Sequence, residues 1–324
     1  MDVLDLALGN LLSPIILSFA LGLGAALARS DLSIPEAVAK GMSIYLLFAI
    51  GFKGGVAVDA AGPGGTLALA LLAGVVLSFA LPVVAFALLR AMTRLSPLDA
   101  AAVAAHYGSI SIVTFVAGTS VLDAAGIAFD GWMVAVAAAM EAPAILSALW
   151  LVARSGTGRP IDGELWRDIL LNGSIVLLVG SFAIGWITGQ PGLDRIASFI
   201  VAPFQGVLCL FLLDMGLVAG RGLRTAGGIL RPGLLAFGIL MPLVGAAAGA
   251  ATGALLGLGT GSGMLFMVLG ASASYIAVPA AMRVALPDAN PSIYLTLSLG
   301  VTFPFNLTLG LPLYLAVSRM IAGG

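Results

Sequence analysis

The residues of this chain that could do chemistry are hydroxyl-bearing side chains set inside apolar stretches. Ser109, Ser111 and Thr114 interrupt one such stretch, and Ser272 and Ser274 interrupt another. A serine hydroxyl can both donate and accept a hydrogen bond, and it competes for the partners of the helical backbone. These two segments can therefore present donors and acceptors to a small polar solute.

Each of these segments predicts a broken helix. In the second segment, Pro279 has no backbone N–H to donate, and its ring clashes with the preceding turn. A broken helix exposes N–H groups at one new end, which suit an anion, and C=O groups at the other, which suit a hard cation. Within hydrocarbon, such backbone survives only when protein buries it or when it lines a polar cavity. Paired breaks in two halves of a chain point to the binding site of a transporter.

The candidate site positions lie in and around both breaks. The substrate-binding candidates are Gly108, Ser109, Ile110, Ser111, Ser272, Ala273, Ser274 and Tyr275. The candidates for cation binding or coupling are Thr114, Glu141, Ser274 and Asn306. Neither break contains Lys or Arg, which favours a small, singly charged anion over a phosphate. The alternative for each serine is a contact that packs one helix against another.

Glu141 is the most informative single charge, because it lies within the apolar stretch AVAAAMEAPAILSALW. A carboxylate inside a membrane is expensive and is a functional hypothesis by default. It could bind a cation, carry a proton, or be paired for structure only. We interpret Lys53 and Asp214 as interfacial and His106, the only histidine, as structural.

Composition assigns the chain to the membrane proteins. Hydrophobic residues make up 60% and charged residues 9% of the 324 residues, far from the roughly 25% charged of soluble domains. The net charge of −1 predicts no nucleic-acid partner, and the single cysteine predicts no disulfide framework or cysteine-based metal site. We find no paired catalytic motif, so we expect neither an enzyme nor a cofactor other than a coupling Na⁺. A channel would be expected to show a filter or a charged ring.

Ten apolar segments have about the 17–25 residues that a bilayer requires. The predicted helices 1 to 10 cover 11–28, 36–52, 66–90, 100–122, 131–153, 169–188, 198–219, 232–258, 263–286 and 292–318. Helices 4 and 9 contain the breaks and are predicted to cross. Because each half has five helices, an odd number, the second half must enter the membrane from the opposite side. The sequence therefore predicts two inverted five-helix repeats.

The distribution of basic residues predicts the orientation. Of the 14 basic residues, only Lys53, Arg195 and Arg319 fall on the side that holds both termini. Since basic loops stay in the cytoplasm, both termini are predicted to be periplasmic and the protein to lie in the inner membrane.

Several short segments, in the same order over nearly the whole chain, resemble the sodium-dependent bicarbonate transporters of the SbtA type. The matching segments are Ile34–Ala37, Ile50–Gly55, Tyr107–Ser111 with Thr114, Ala271–Ser274, Pro279, Pro287–Tyr294 and Leu311–Leu313. The resemblance implies a homotrimeric transporter that imports bicarbonate with Na⁺ by an elevator-type movement. It implies a gate domain, residues 1–60 and 169–225, a core domain, residues 61–153 and 226–324, and a cytoplasmic linker, residues 154–168. The alternative is another small organic or inorganic anion, with proton coupling or without Na⁺ coupling.

Two departures from the family pattern bear on coupling and regulation. The family has an acidic residue directly after the serines of helix 9, where this chain has Tyr275. That acidic residue is implicated in holding Na⁺, so Na⁺ and proton coupling both stay open. The loop between helices 5 and 6 is also short, which leaves the binding of a PII-like regulator open.

Overall fold

A computed structural model describes residues 12–62, 65–154, 167, 171, 173–225, 231–275, 278–279, 282 and 286–323. Within these residues every long regular element is a helix, and no strand occurs. The helices are α1 (Pro14–Leu27), α2 (Glu36–Ala61), α3 (Gly65–Met92), α4 (Pro97–His106), α5 (Ile112–Ala124), α6 (Met133–Ala139), α7 (Glu141–Arg154), α8 (Gly173–Ile200), α9 (Phe204–Thr225), α10 (Pro232–Leu255), α11 (Thr260–Ala271) and α12 (Pro291–Ala322).

Seven helical segments of the described chain are long and apolar enough to cross a membrane. They are Glu36–Ala60, Gly65–Met92, Met133–Val152, Ile175–Ile200, Phe204–Arg224, Pro232–Leu255 and Pro291–Ala322. The predicted helices 1, 4 and 9 instead overlap the shorter apolar helices α1, α5 and α11. The all-helical, multi-pass class predicted from composition is confirmed, whereas the described helices alone do not establish a count of ten.

Some predicted boundaries were wrong. α2 continues to Ala61 instead of ending at 52, because its glycines serve close packing and do not end the helix. A Cβ atom at Gly55 would overlap the carbonyl oxygen of Phe182 on α8. α9 runs from Phe204 to Thr225 instead of 198–219.

α8 also differs from its prediction, since it reaches Ile200 through a kink instead of ending at 188. Gly189 at the kink has φ 56° and ψ −156°, a conformation that side chains other than hydrogen disfavour. After it the chain turns back along α2, where the Tyr45 hydroxyl donates to the Phe199 carbonyl at 2.6 Å. The sequence signal for this reversal is the Gly-Gln-Pro-Gly run at 189–192.

Several predictions lie outside the described residues. These are the first residue of helix 1, most of the linker, the first residues of helix 6 and much of the chain after Tyr275 in helix 9.

The helices pack in two sets. α1 lies against α9, and α2 lies against both α8 and α9. In the other set, α3, α4 and α7 pack together, α10 packs on α3, and α11 packs on α5, α10 and α12. Glycines allow the backbones to approach: a Cβ at Gly22 would overlap the Leu213 carbonyl, and one at Gly245 would overlap the Gly270 carbonyl.

Candidate functional site

The first break separates α4 from α5 and covers Tyr107 to Ser111. It occurs where predicted: α4 ends at its C-cap residue Tyr107, and Ser111 is the N-cap residue of α5. The Ser111 hydroxyl accepts from the Thr114 N–H at 3.2 Å and from the Thr114 hydroxyl at 3.0 Å. Thr114 therefore supports the cap from within α5. Gly108 is required at the turn, since a Cβ there would overlap the ring of Pro82 on α3.

The second break begins where α11 ends at Ala271, and Ser272 to Ser274 are not helical. The Ser272 hydroxyl donates to the Leu269 carbonyl at 3.0 Å and accepts from the Ser111 N–H at 3.0 Å. The two breaks are thus in direct contact. They also lie in the interior, since Ser109, Ser111, Ser272 and Ser274 are all buried.

Asn306 holds the end of α11. Its Nδ2 donates to the Ala271 carbonyl at 2.9 Å, and its Oδ1 accepts from the Tyr314 hydroxyl at 2.8 Å. Asn306 begins a π-helical turn of α12, a local irregularity that often occurs at functional sites. This side chain therefore fixes one terminal carbonyl of the broken helix.

His106, the last residue of α4, makes a second contact between the two breaks. The Ser274 N–H donates to the His106 carbonyl at 2.8 Å, and His106 Nδ1 lies 2.5 Å from the Ser274 carbonyl oxygen. Because a carbonyl oxygen can only accept, Nδ1 carries the proton. The imidazole stacks on Tyr294, with 4.6 Å between ring centroids, and Nε2 has no hydrogen-bond partner among the described residues. This junction was not predicted, although the only histidine in the sequence directly precedes the break.

A small cavity lies where the breaks meet, with room for about one water molecule. Of the candidate residues, it collects Ile110, Ser111, Ser274, Tyr275 and Glu141. Its full lining is Leu47, Ile110, Ser111, Ile112, Glu141, Ser274 and Tyr275. Gly108, Ser109, Thr114, Ser272, Ala273 and Asn306 do not line it. Leu47 on α2 and Ile112 on α5 were not among the candidates, and apolar residues of this kind carry no sequence signal for a site.

The cavity wall carries polar atoms without partners. Within the described residues, Glu141 Oε2 and the Tyr275 hydroxyl make no hydrogen bond, and the Ser109 hydroxyl beside the cavity makes none either. The Glu141 side chain is only 4% exposed. Unpaired buried polar atoms are expensive, and a bound ion or small solute would supply the missing partners.

Glu141 is held at the wall by a kink in the predicted helix 5. α6 ends at Ala139, α7 begins at Glu141, and the Ser78 hydroxyl donates to the intervening Met140 carbonyl at 2.6 Å. The first turn of α5, with its positive partial charge, also faces the cavity through Ile112. The cavity therefore combines one carboxylate, three hydroxyls and a helix N-terminus, and none of its described lining residues is basic.

Two comparisons of the sequence with known proteins bear on the function of the chain. A sequence model of the Na⁺-dependent bicarbonate transporter superfamily matches residues 14–319. A comparison with curated proteins finds no match to the chain.

Proposed function

We propose a substrate and a mechanism from one premise: the chain belongs to the Na⁺-dependent bicarbonate transporter superfamily. It is a transporter and not an enzyme. In this proposal it imports bicarbonate together with Na⁺ by secondary active transport across the inner membrane. The movement is of the elevator type and the assembly is a homotrimer.

The observation that carries this proposal is the charge of the cavity. Glu141 lies at the same small cavity as Ser111 and Ser274, and the part of the lining that the structure describes contains no basic side chain. An anion placed beside an ionised carboxylate in a low-dielectric site is strongly repelled. The carboxylate must therefore be neutralised when the anion binds, by a cation or by a proton. This charge supports coupling of the anion to Na⁺ or to a proton.

Bicarbonate suits the polar groups of the cavity. It has both an O–H donor and oxygen acceptors, and serine and tyrosine hydroxyls can serve both. Ser111, Ser274 and Tyr275 supply three such hydroxyls, and the N-terminus of α5 favours the negative charge.

Na⁺ would bind to oxygen atoms, as hard cations do. Glu141 Oε2 offers a charged oxygen without a partner among the described residues, and Thr114 lies one turn into the adjoining helix. Asn306 contributes by holding the carbonyl end of α11. Tyr275 replaces the acidic residue of the resemblance, so we expect weaker Na⁺ binding than a second carboxylate would give.

The helix contacts support the division into domains. α1, α2, α8 and α9 pack on one another and correspond to the proposed gate domain, residues 1–60 and 169–225. α3 to α7 and α10 to α12 correspond to the proposed core domain, residues 61–153 and 226–324. Among the described residues that line the cavity, Leu47 of α2 is the one that belongs to the proposed gate domain. A core domain that slides along the gate domain past Leu47 would carry the other residues of the cavity lining with it.

Two matching contacts support inverted repeats. The third residue of α4 is Asp99, whose Oδ1 accepts from the Asn290 N–H at 2.9 Å. The third residue of α11 is Ser262, whose hydroxyl oxygen accepts from the Asp130 N–H at 2.9 Å. In each case the segment that follows one break closes over the first turn of the helix that leads into the other.

A second candidate function is transport of another small anion with proton coupling. The specific observation in its favour is that Glu141 lies at the cavity while Tyr275 supplies no second negative charge. A protonated Glu141 would also remove the repulsion of the anion. Transport would then respond to a pH gradient and ignore Na⁺.

Uptake of labelled bicarbonate into vesicles that contain the purified protein separates these functions. We expect uptake that saturates with bicarbonate and that an inward Na⁺ gradient stimulates. Vesicles without protein and vesicles with a K⁺ gradient are the controls. Uptake that follows an imposed pH gradient without Na⁺ would favour the second candidate. If the vesicles take up formate, acetate or nitrate but not bicarbonate, that anion would be the substrate instead of bicarbonate.

A further inference from the structure

An open groove of about 530 Å³, which shares no lining residue with the central cavity, lies at the ends of two apolar helices that are long enough to span a membrane. α3 ends at Met92, and α10 begins at Pro232. The groove is lined by Ala91, Met92, Thr93, Arg94, Leu95, Arg231, Gly233, Leu234 and Ile293. Its volume is that of a small-molecule site.

The groove is basic and amphipathic. Arg94 and Arg231 contribute two guanidinium groups, and none of its described lining residues is acidic. Both arginines are exposed, whereas Leu234 and Ile293 form a buried apolar floor. A ligand that fits must have an anionic end and an apolar end.

The backbone gives the groove a defined shape. A Cβ at Gly233 would overlap the Met92 carbonyl, so the start of α10 lies directly against the end of α3. The Arg90 side chain donates to the Leu95 carbonyl at 2.5 Å and fixes the segment that carries Arg94. The two guanidinium-bearing segments are therefore held next to each other by contacts that do not involve a ligand.

Exposed apolar side chains lead away from the groove into the membrane. Leu235 and Ile239 follow Arg231 at intervals of four residues on one face of α10, and they are 39% and 44% exposed. On α3, Val84 lies seven residues before Ala91 and is 39% exposed. An acyl chain that descends from a headgroup at the arginines would contact these side chains.

We propose that this groove binds an anionic phospholipid, with the phosphate at Arg94 and Arg231 and the acyl chains along Leu235, Ile239 and Val84. Arginine pairs the phosphate by charge and by its forked donors. Basic pockets between membrane helices recruit anionic headgroups by the same chemistry. The proposal is independent of the transported substrate.

The test compares lipid retention by the full chain purified in detergent. Native mass spectrometry measures bound phosphatidylglycerol and phosphatidylcholine with the same acyl chains, and the melting temperature is recorded with each lipid. We expect wild type to retain phosphatidylglycerol preferentially and to be stabilised by it. Two neutralised arginines should weaken this binding roughly 30-fold, since each basic residue near an anionic surface contributes about fivefold.

The variant is Arg94→Gln with Arg231→Gln. The matched control is Arg29→Gln with Arg154→Gln, which removes the same charge from exposed positions outside the groove. A further variant, Arg94→Lys with Arg231→Lys, keeps the charge and should retain most of the binding. Equal loss in the groove variant and the control would overturn the proposal, as would equal stabilisation by phosphatidylcholine. Stabilisation by inorganic phosphate at the same concentration would identify a soluble-anion site instead.

Discussion

Ser111 and Ser274 line the cavity while Ser109 and Ser272 do not, so the proposed function gives these two serines the most direct role. Replacing either with Leu would fill a space that holds about one water molecule. We predict that Ser111→Leu and Ser274→Leu each lower anion uptake to background while the protein still reaches the membrane. Uptake into vesicles, normalised to protein, is the measurement.

Ser18→Leu serves as the control for both serine variants, since the Ser18 hydroxyl donates to the Pro14 carbonyl within α1 and Ser18 does not line the cavity. It should transport normally. Normal uptake by both cavity variants would show that the anion binds elsewhere.

Glu141 is predicted to carry the Na⁺ dependence. Glu141→Gln keeps the shape of the side chain but removes the charge, so uptake by this variant should no longer depend on Na⁺. Tyr275→Asp adds a charged oxygen at the same cavity and should tighten the apparent Na⁺ affinity. Initial rates of uptake over a series of Na⁺ concentrations measure both. Our account of coupling is wrong if neither variant changes the Na⁺ dependence.

His106 is predicted to position Ser274 through its Nδ1 atom. In Asn the amide nitrogen can take the place of Nδ1, whereas in Gln it can take the place of Nε2. His106→Asn should therefore keep the half-saturating anion concentration within about threefold of wild type, and His106→Gln should raise it about tenfold or more, the loss expected for one buried hydrogen bond.

The comparison of the two His106 variants isolates the hydrogen bond, because both remove the imidazole that stacks on Tyr294. Equal defects in the two variants would assign His106 to packing only. A defect in the maximal rate alone would also contradict a role in positioning Ser274.

At the scale of the helices, close glycine contacts hold α10 against α11. A Cβ at Gly245 would overlap the Gly270 carbonyl, which is backbone and cannot move aside without displacing the helix. We predict that Gly245→Ala lowers the melting temperature of the purified protein, with a free-energy loss of about 1–3 kcal/mol for overpacking.

Gly180→Ala is the matched control for Gly245→Ala. Gly180 also lies inside a long helix, α8, but a Cβ there would meet no atom within 4 Å. The control should be neutral or slightly stabilising, since alanine favours the helix over glycine. A stable Gly245→Ala variant would show that α10 and α11 can separate without loss.

The helices show what sequence could predict and why the rest escaped it. The break before Ile112 was predictable because serine capping is local. The end of α2 was misplaced because glycines that serve close packing look the same in sequence as glycines that end a helix. The junction between His106 and Ser274 joins residues 168 positions apart, and no local pattern reports such a pair.

For the whole molecule, the basic residues predict that both termini are periplasmic and that the 154–168 linker is cytoplasmic. A reporter that is active only in the cytoplasm should be inactive when fused after Gly324. The same reporter inserted in the linker should be active and serves as the positive control. Strong reporter activity at the C-terminus would contradict this prediction and show that the arginine-rich side faces the periplasm.

The bond from the Ser274 N–H to the His106 carbonyl has a consequence for divergence between the two halves of the chain. A main-chain hydrogen bond does not depend on the type of side chain, so residues at neighbouring positions can be substituted while the bond is kept. The halves can therefore drift apart in sequence, with a carboxylate near one break and a phenol at the other, while the joint stays intact. Under the proposed function, Tyr275 and Glu141 could therefore be redesigned for a different ion without rebuilding the scaffold.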